Sequence, residues 1–149
     1  MAFFAPDLTQ RAPRSPRVRL GGFVILPRAL DKGRATIAKK NGEFKFDCPL
    51  DNYFFDFVGV KGVQFKKELA KGKSDSEMLE WIKKNGKNHP CHGTIHLWST
   101  LMEQRVPTSV EMRAFFNELC QTVAPKREDI ATWFDILDVD DYVSFGGQP

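Results

Sequence analysis

The chain has few cysteines: three among its 149 residues, namely Cys48, Cys91 and Cys120. Their odd number and wide spacing, without a CxxC pair, exclude a disulfide framework. Long hydrophobic runs are also missing, so no segment reaches the length of a membrane span. The first residues lack the basic and long apolar regions of a signal peptide. We therefore predict a protein of the reducing cytoplasm that does not enter a membrane.

Short motifs that identify common enzymes and cofactor sites are absent as well. The sequence has no GxGxxG, P-loop, GxSxG or HExxH pattern, and nothing in it indicates a cofactor. The net charge of +3 comes entirely from residues 1–22, with four arginines and one aspartate. Residues 61–87 sum to +4 and residues 103–149 to −5. Opposed patches of this kind satisfy each other or a second copy, which allows a homodimer and does not indicate nucleic acid.

Aromatic residues and helical periodicity are what the chain does have. Thirteen Phe and three Trp predict a core or a pocket built largely from rings. Apolar residues recur with helical spacing, which predicts an all-α domain of six or seven short helices. The alternation of polar and apolar residues in 43–47 allows at most one small β-hairpin. We expect residues 23–149 to form this single helical domain.

Residues 1–22 form an Arg- and Pro-rich N-terminal arm. Three prolines exclude a helix there, so the arm lies along the domain surface or reaches for a phosphate or a partner. Further on, Ser74 and Thr108 are each followed at capping-box spacing by Glu. The clearest amphipathic stripe follows Thr108 and consists of Met112, Phe115, Phe116, Leu119 and Val123. The tail 138–149 is acidic and then glycine-rich, and we expect it to be irregular.

The segment 26–35, within a predicted first helix, is the leading candidate for a site. Arg28, Asp31, Lys32 and Arg34 could form a clamp for a carboxylate or a phosphate. The alternative is a solvated helix face, because Arg28 and Lys32 fall opposite the apolar stripe of this helix. Arg34 lies at the edge of that stripe, where we expect it to be partly buried and paired.

A second candidate is the run Cys48-Pro49-Leu50-Asp51. A thiolate just before a helix N-terminus is favoured by the helix dipole, so Cys48 could be a nucleophile. Asp51, or Asp31 of the first helix, could then act as an acid or base. The alternative makes Cys48 a small buried apolar group and Asp51 the N-cap of the second helix.

Two further groups could bind a metal. His92 and His96 have the spacing of two ligands on one helix turn, but the four-ligand set is incomplete and we expect no metal site. The second group is acidic and comprises Asp135, Asp138, Asp140 and Asp141. These carboxylates could hold Mg²⁺ or Ca²⁺ or act as acid and base. The alternative is a charge latch, in which they pair with the arm arginines or with Arg28 and Arg34.

Three segments together resemble a known family. They are 26–35 (LPRALDKGRA), 48–51 (CPLD) and the C-terminal pair 132–135 (TWFD) and 140–146 (DDYVSFG). They resemble the bacterial domain-of-unknown-function family numbered 5069, from about Asp7 to the C-terminus. The resemblance implies a small bacterial cytosolic protein and implies no activity. The histidines at 89–96 depart from the family pattern.

Three functions remain open at this point. The first is a small-molecule-binding domain, whose aromatic-lined pocket holds a metabolite with its anionic end on Arg28, Lys32 or Arg34. The second is an enzyme that joins Cys48 and Asp51 to the charged residues of 26–35. The third is a homo-oligomeric interaction module. We favour the first.

Overall fold

The computed structural model describes residues 3–149 and confirms the all-α class, with seven helices. They are α1 (Leu26–Ile37), α2 (Pro49–Val58), α3 (Gly62–Leu69), α4 (Asp75–Asn85), α5 (His92–Glu103), α6 (Val110–Val123) and α7 (Trp133–Ser144). Within residues 3–149 there is no strand, and residues 43–47 form turns rather than a hairpin.

Helix α1 lies at the centre, and all ten residues from Leu26 to Ala35 are buried. It packs on α3 and α2, while the arm and the loop before α2 cover its other sides. The interpretation of its charged residues as a solvated face is therefore wrong. A helix can bury charges on every side only where each charge meets a partner, and α1 is placed so that each one does.

Rings dominate the core, as the composition predicts. Phe23, Phe54, Phe57 and Trp98 form one cluster, in which the Phe57 and Trp98 rings stack with centroids 4.5 Å apart. A second cluster around Phe65 joins α2 to α3 and α4. These clusters fix α2, α3, α4 and α5 around α1 through edge and stacked ring contacts.

Helix caps were predictable in part. Ser74 forms the predicted capping box at the start of α4, and Thr132 forms another at the start of α7. The N-cap of α6 is Ser109 and not Thr108, because the Ser109 hydroxyl accepts the hydrogen bond from the Met112 N–H. The predicted boundary was therefore one residue early.

The acidic tail is helical rather than irregular, because α7 continues to Ser144. Carboxylates at the C-terminal end of a helix oppose its dipole unless cations compensate them. Arg17 binds Asp138 at 3.0 Å, and Arg28 binds Asp141 at 2.7 Å. The predicted charge latch is thus confirmed, and it accounts for the extra turns of helix.

The N-terminal arm lies along the domain, as the first of its two interpretations proposed. Leu8 is buried, whereas Phe4 is exposed. Arg14, Arg17 and Arg19 each form an ion pair with a carboxylate of a different part of the domain. The arm is held to the domain chiefly by these pairs and by burial of Leu8.

Candidate ligand-binding site

Arg28 of α1 is bound to Asp141 of α7 by two hydrogen bonds. Its Nη1 donates to Asp141 Oδ2 at 2.7 Å, and its Nη2 donates to Oδ1 at 3.1 Å. Nη1 also donates to the Arg14 carbonyl at 3.2 Å. This two-point geometry is the strong form of the arginine–carboxylate pair. It uses the guanidinium edge that would otherwise grip a ligand anion.

Lys32 has three partners for its three N–H donors. Its Nζ lies 2.8 Å from Asp51 Oδ1 and donates to the Lys45 carbonyl at 3.1 Å and to Cys48 Sγ at 3.2 Å. The Lys32 and Asp51 side chains are 4% and 0% exposed, so this is a fully buried ion pair. Burial raises the pKa of the Asp51 carboxyl, against the opposing effect of the Lys32 charge.

Asp51 is not the N-cap of α2, contrary to one of the two interpretations of the CPLD run. Cys48 occupies the N-cap position, and Asp51 lies in the first turn with its Oδ2 accepting from the Asp47 N–H at 2.9 Å. Its carboxylate is turned inward because Lys32 projects from α1 toward the start of α2. Asp51 is therefore enclosed behind Lys32, whereas Cys48 is half-buried.

Asp31 and Arg34 belong to a separate network on another side of α1. Arg14 donates to both oxygens of Asp31 and to Asp75, and Arg34 donates to Asp75 Oδ1 at 2.7 Å and to the Lys73 carbonyl. Burial alone would raise the pKa of Asp75, but the hydrogen bonds from the two arginines hold it below its ordinary value. The network borders a cavity of about 630 Å³.

A polar cleft of about 1090 Å³ lies between α1, α7 and the loop before α2. It contains three of the predicted site residues, Arg28, Lys32 and Cys48. Its other charged lining residues are Glu43, Lys45, Asp140 and Asp141, and its rings are Phe44, Phe115 and Phe145. The predicted site residues are thus divided between two cavities: the charges of α1 do not converge on one hollow.

An apolar trough of about 420 Å³ opens beside the polar cleft, between α2, α6 and α7. The two share Leu50, Phe115, Leu137 and Asp140 as lining residues. The rest of the trough is lined by Pro49, Tyr53, Arg105, Met112, Leu119, Val123, Trp133 and Ile136. A ligand could therefore place an apolar part in the trough and a polar part in the cleft.

Helix α6 forms one wall of the apolar trough with the stripe predicted from sequence. Phe116 is its one buried residue and packs edge-on against Trp133, with ring centroids 5.2 Å apart. Met112 and Phe115 are 46% and 52% exposed. The stripe thus borders a cavity instead of completing the core, and only its position in the fold reveals this.

The two ends of the apolar trough carry opposite charges. Arg105 stacks on Tyr53, with the guanidinium carbon 4.0 Å from the ring centroid, and donates to the Tyr53 hydroxyl at 2.7 Å. Asp140 lies where the trough meets the polar cleft. Burial and the neighbouring charges of Asp141 and Glu43 raise the pKa of Asp140, and Arg28 opposes them. Sequence analysis did not single out Arg105 or Tyr53, which are far apart in the chain.

His92 and His96 are exposed, and His96 Nδ1 lies 3.3 Å from Arg19 Nη1. Within residues 3–149, no three His, Cys, Asp or Glu side chains are grouped so that they could hold a metal ion. The arrangement at α5 provides no third ligand.

A family profile described as "Domain of unknown function (DUF5069)" matches residues 10–143, and the chain belongs to this family. The match spans the arm, all of α1 to α6 and most of α7, so both cavities of the candidate site lie within it. A search of curated proteins finds no match. Among the helices of residues 3–149, none has the length and apolar character needed to cross a bilayer.

Proposed function

We propose that this protein binds a small molecule, with an apolar body in the apolar trough and a polar end toward the polar cleft. One observation carries the proposal: the apolar stripe of α6 borders an open cavity and not the core. Apolar surface left exposed in one contiguous concave patch is typical of a binding site. The trough volume of about 420 Å³ is within the ordinary range for small ligands.

The position of α6 supports a ligand as the occupant of the apolar trough. The helix makes its main contacts with α7, through Phe116 and Trp133, and leaves the side facing α2 open. Tyr53 and Leu50 of α2 form the opposite wall. A molecule between these walls would contact α2, α6 and α7 together, so binding would stabilise the fold as well as fill the cavity.

The test is titration with a neutral apolar dye, Nile red, monitored by its fluorescence increase. Phe115→Asn should weaken binding about tenfold, because roughly 55 Å² of ring at ~25 cal/mol per Å² corresponds to ~1.4 kcal/mol. Leu101→Asn is the matched control, since Leu101 is 61% exposed on α5 and lies outside both cavities. Equal dye affinity in the two variants would contradict the proposal.

A second candidate is an enzyme with Cys48 as its nucleophile, favoured by the 3.2 Å contact between Lys32 Nζ and Cys48 Sγ. An ammonium donating to sulfur supports a thiolate, which is the reactive form. Iodoacetamide should then alkylate Cys48 well below pH 8, and faster than Cys91 and Cys120 in the same chain. Mass spectrometry of the peptides measures the three rates, and a slow Cys48 would remove this candidate.

We also propose the bacterial cytoplasm as the compartment and a protein that does not bind nucleic acid. The three cysteines are free thiols, as a reducing compartment requires. Arg14, Arg17 and Arg19 of the arm pair with carboxylates of their own chain, which leaves them little charge for a phosphate backbone. The same pairing argues against the arm as a dimer contact.

A further inference from the structure

We infer that Arg105 receives the anionic group of the ligand, and that the apolar trough therefore takes a monocarboxylic acid with an apolar body. This inference rests on the proposed function, since it identifies the chemical class of molecule that the trough binds. It also reassigns the anion-binding role from the cations of α1 to a residue between α5 and α6.

The cations of the polar cleft have little capacity left for a ligand anion. Arg28 makes three hydrogen bonds to protein acceptors, and Lys32 has three partners. Both side chains are 4% exposed. An anion that recruited either of them would have to displace Asp141 or Asp51, and the displaced carboxylate would lose its compensating charge.

Arg105 is in the opposite situation. It lines the apolar trough, and in residues 3–149 it forms no ion pair. Its Nη2 donates to the Tyr53 hydroxyl, and the structured part of the chain offers its Nε and Nη1 no acceptor. Stacking on the Tyr53 ring holds the guanidinium plane in a fixed orientation, so little side-chain entropy is lost when a carboxylate binds.

Asp140 fixes the direction in which the ligand lies. It is the other charged residue of the apolar trough, at the end that opens into the polar cleft, and Asp141 and Glu43 are near it. A carboxylate at that end would add a negative charge to a group of carboxylates. The acid group is therefore expected at Arg105 and the apolar body along Met112, Phe115 and Leu137.

The experiment compares three probes of one shape by isothermal titration calorimetry: 4-phenylbutanoate, its neutral amide and 4-phenylbutylamine. The carboxylate should bind about 10- to 30-fold more tightly than the amide, because a charge-assisted arginine pair replaces a neutral contact. Arg105→Gln should abolish that preference and leave amide binding unchanged. Arg105→Lys, which keeps the charge but not the two-point geometry, should retain part of it.

Arg113→Gln is the matched control. Arg113 also stacks on a ring, that of Phe116, and lies outside the trough lining. This variant should bind all three probes as the original chain does, with thermal unfolding confirming that each variant is folded. Equal binding of acid and amide, stronger binding of the amine, or an unchanged preference in Arg105→Gln would overturn the inference. Loss of Nile red binding together with all three probes would instead overturn the proposed function.

Discussion

Replacing Lys32 by Met tests how α1 tolerates charge at the centre of the domain. Asp51 is 0% exposed, and its compensating charge comes from Lys32 Nζ at 2.8 Å. In the Lys32→Met variant the carboxylate keeps the hydrogen bond from the Asp47 N–H but loses the cation. The Lys45 carbonyl and Cys48 Sγ also lose their donor.

We expect Lys32→Met to lower the free energy of unfolding by about 3–5 kcal/mol at pH 7, the usual cost of leaving one partner of a buried pair. For a domain of this size that corresponds to a fall in Tm of roughly 6–20 °C. Adding Asp51→Leu should recover most of the loss, since two apolar side chains leave no unpaired charge. Urea unfolding of the three proteins measures these differences.

The loss in Lys32→Met should depend on pH. Burial already raises the pKa of Asp51 above its unfolded value, and removing Lys32 takes away the charge that opposes this rise. A carboxyl with a raised folded-state pKa favours folding below its unfolded pKa, and that contribution is lost as pH rises through the folded-state pKa. The deficit relative to the original chain should thus be smaller at pH 4 than at pH 7. Equal deficits at both pH values, or a deficit below about 1 kcal/mol at pH 7, would refute this reasoning.

Three other substitutions probe separate parts of the fold, each by urea or thermal unfolding. Asp75→Asn should cost about 1–3 kcal/mol at pH 7 because it breaks the bridge between two arginines, and the cost should vanish as pH falls through the lowered pKa of Asp75. Gly33→Ala should lower Tm, because a Cβ there lies 2.7 Å from Leu69 Cδ2 and overpacking of about 1–3 kcal/mol exceeds the helix-propensity gain of about 1 kcal/mol. Ser99→Ala should cost about 1–3 kcal/mol, because its buried hydroxyl donates to the Gly22 carbonyl at 2.7 Å. A Tm unchanged by any one of them would contradict the contact it removes or creates.

Much of the fold was predictable because local signals agreed with tertiary packing. The capping box at Ser74 and the apolar periodicity located most of the helices. The extension of α7 to Ser144 was not predictable, because it depends on ion pairs with Arg17 and Arg28, which are more than 100 residues away in the chain. Local composition indicates only that Asp138 and its neighbours are poor candidates for a helix C-terminus.

The site was predictable only as a set of residue types. The sequence singled out Arg28 and Lys32 correctly as unusual, but their burial and their carboxylate partners arise from long-range packing. The stripe of α6 was visible as a helix face, and periodicity does not distinguish a face that meets the core from one that borders a cavity. Arg105 and Tyr53 had no signal at all, since 52 residues separate them in the chain.

The central claim is that the apolar trough is a binding site, and methyl NMR of the labelled protein tests it most directly. Titration with the neutral probe 4-phenylbutanamide should shift the methyl signals of Leu119, Val123 and Leu137, which line the trough. The methyl signals of Leu97 and Leu101, exposed on α5, should stay in place. Shifts confined to Leu97 and Leu101, or no shifts in the trough at saturating probe, would contradict the claim.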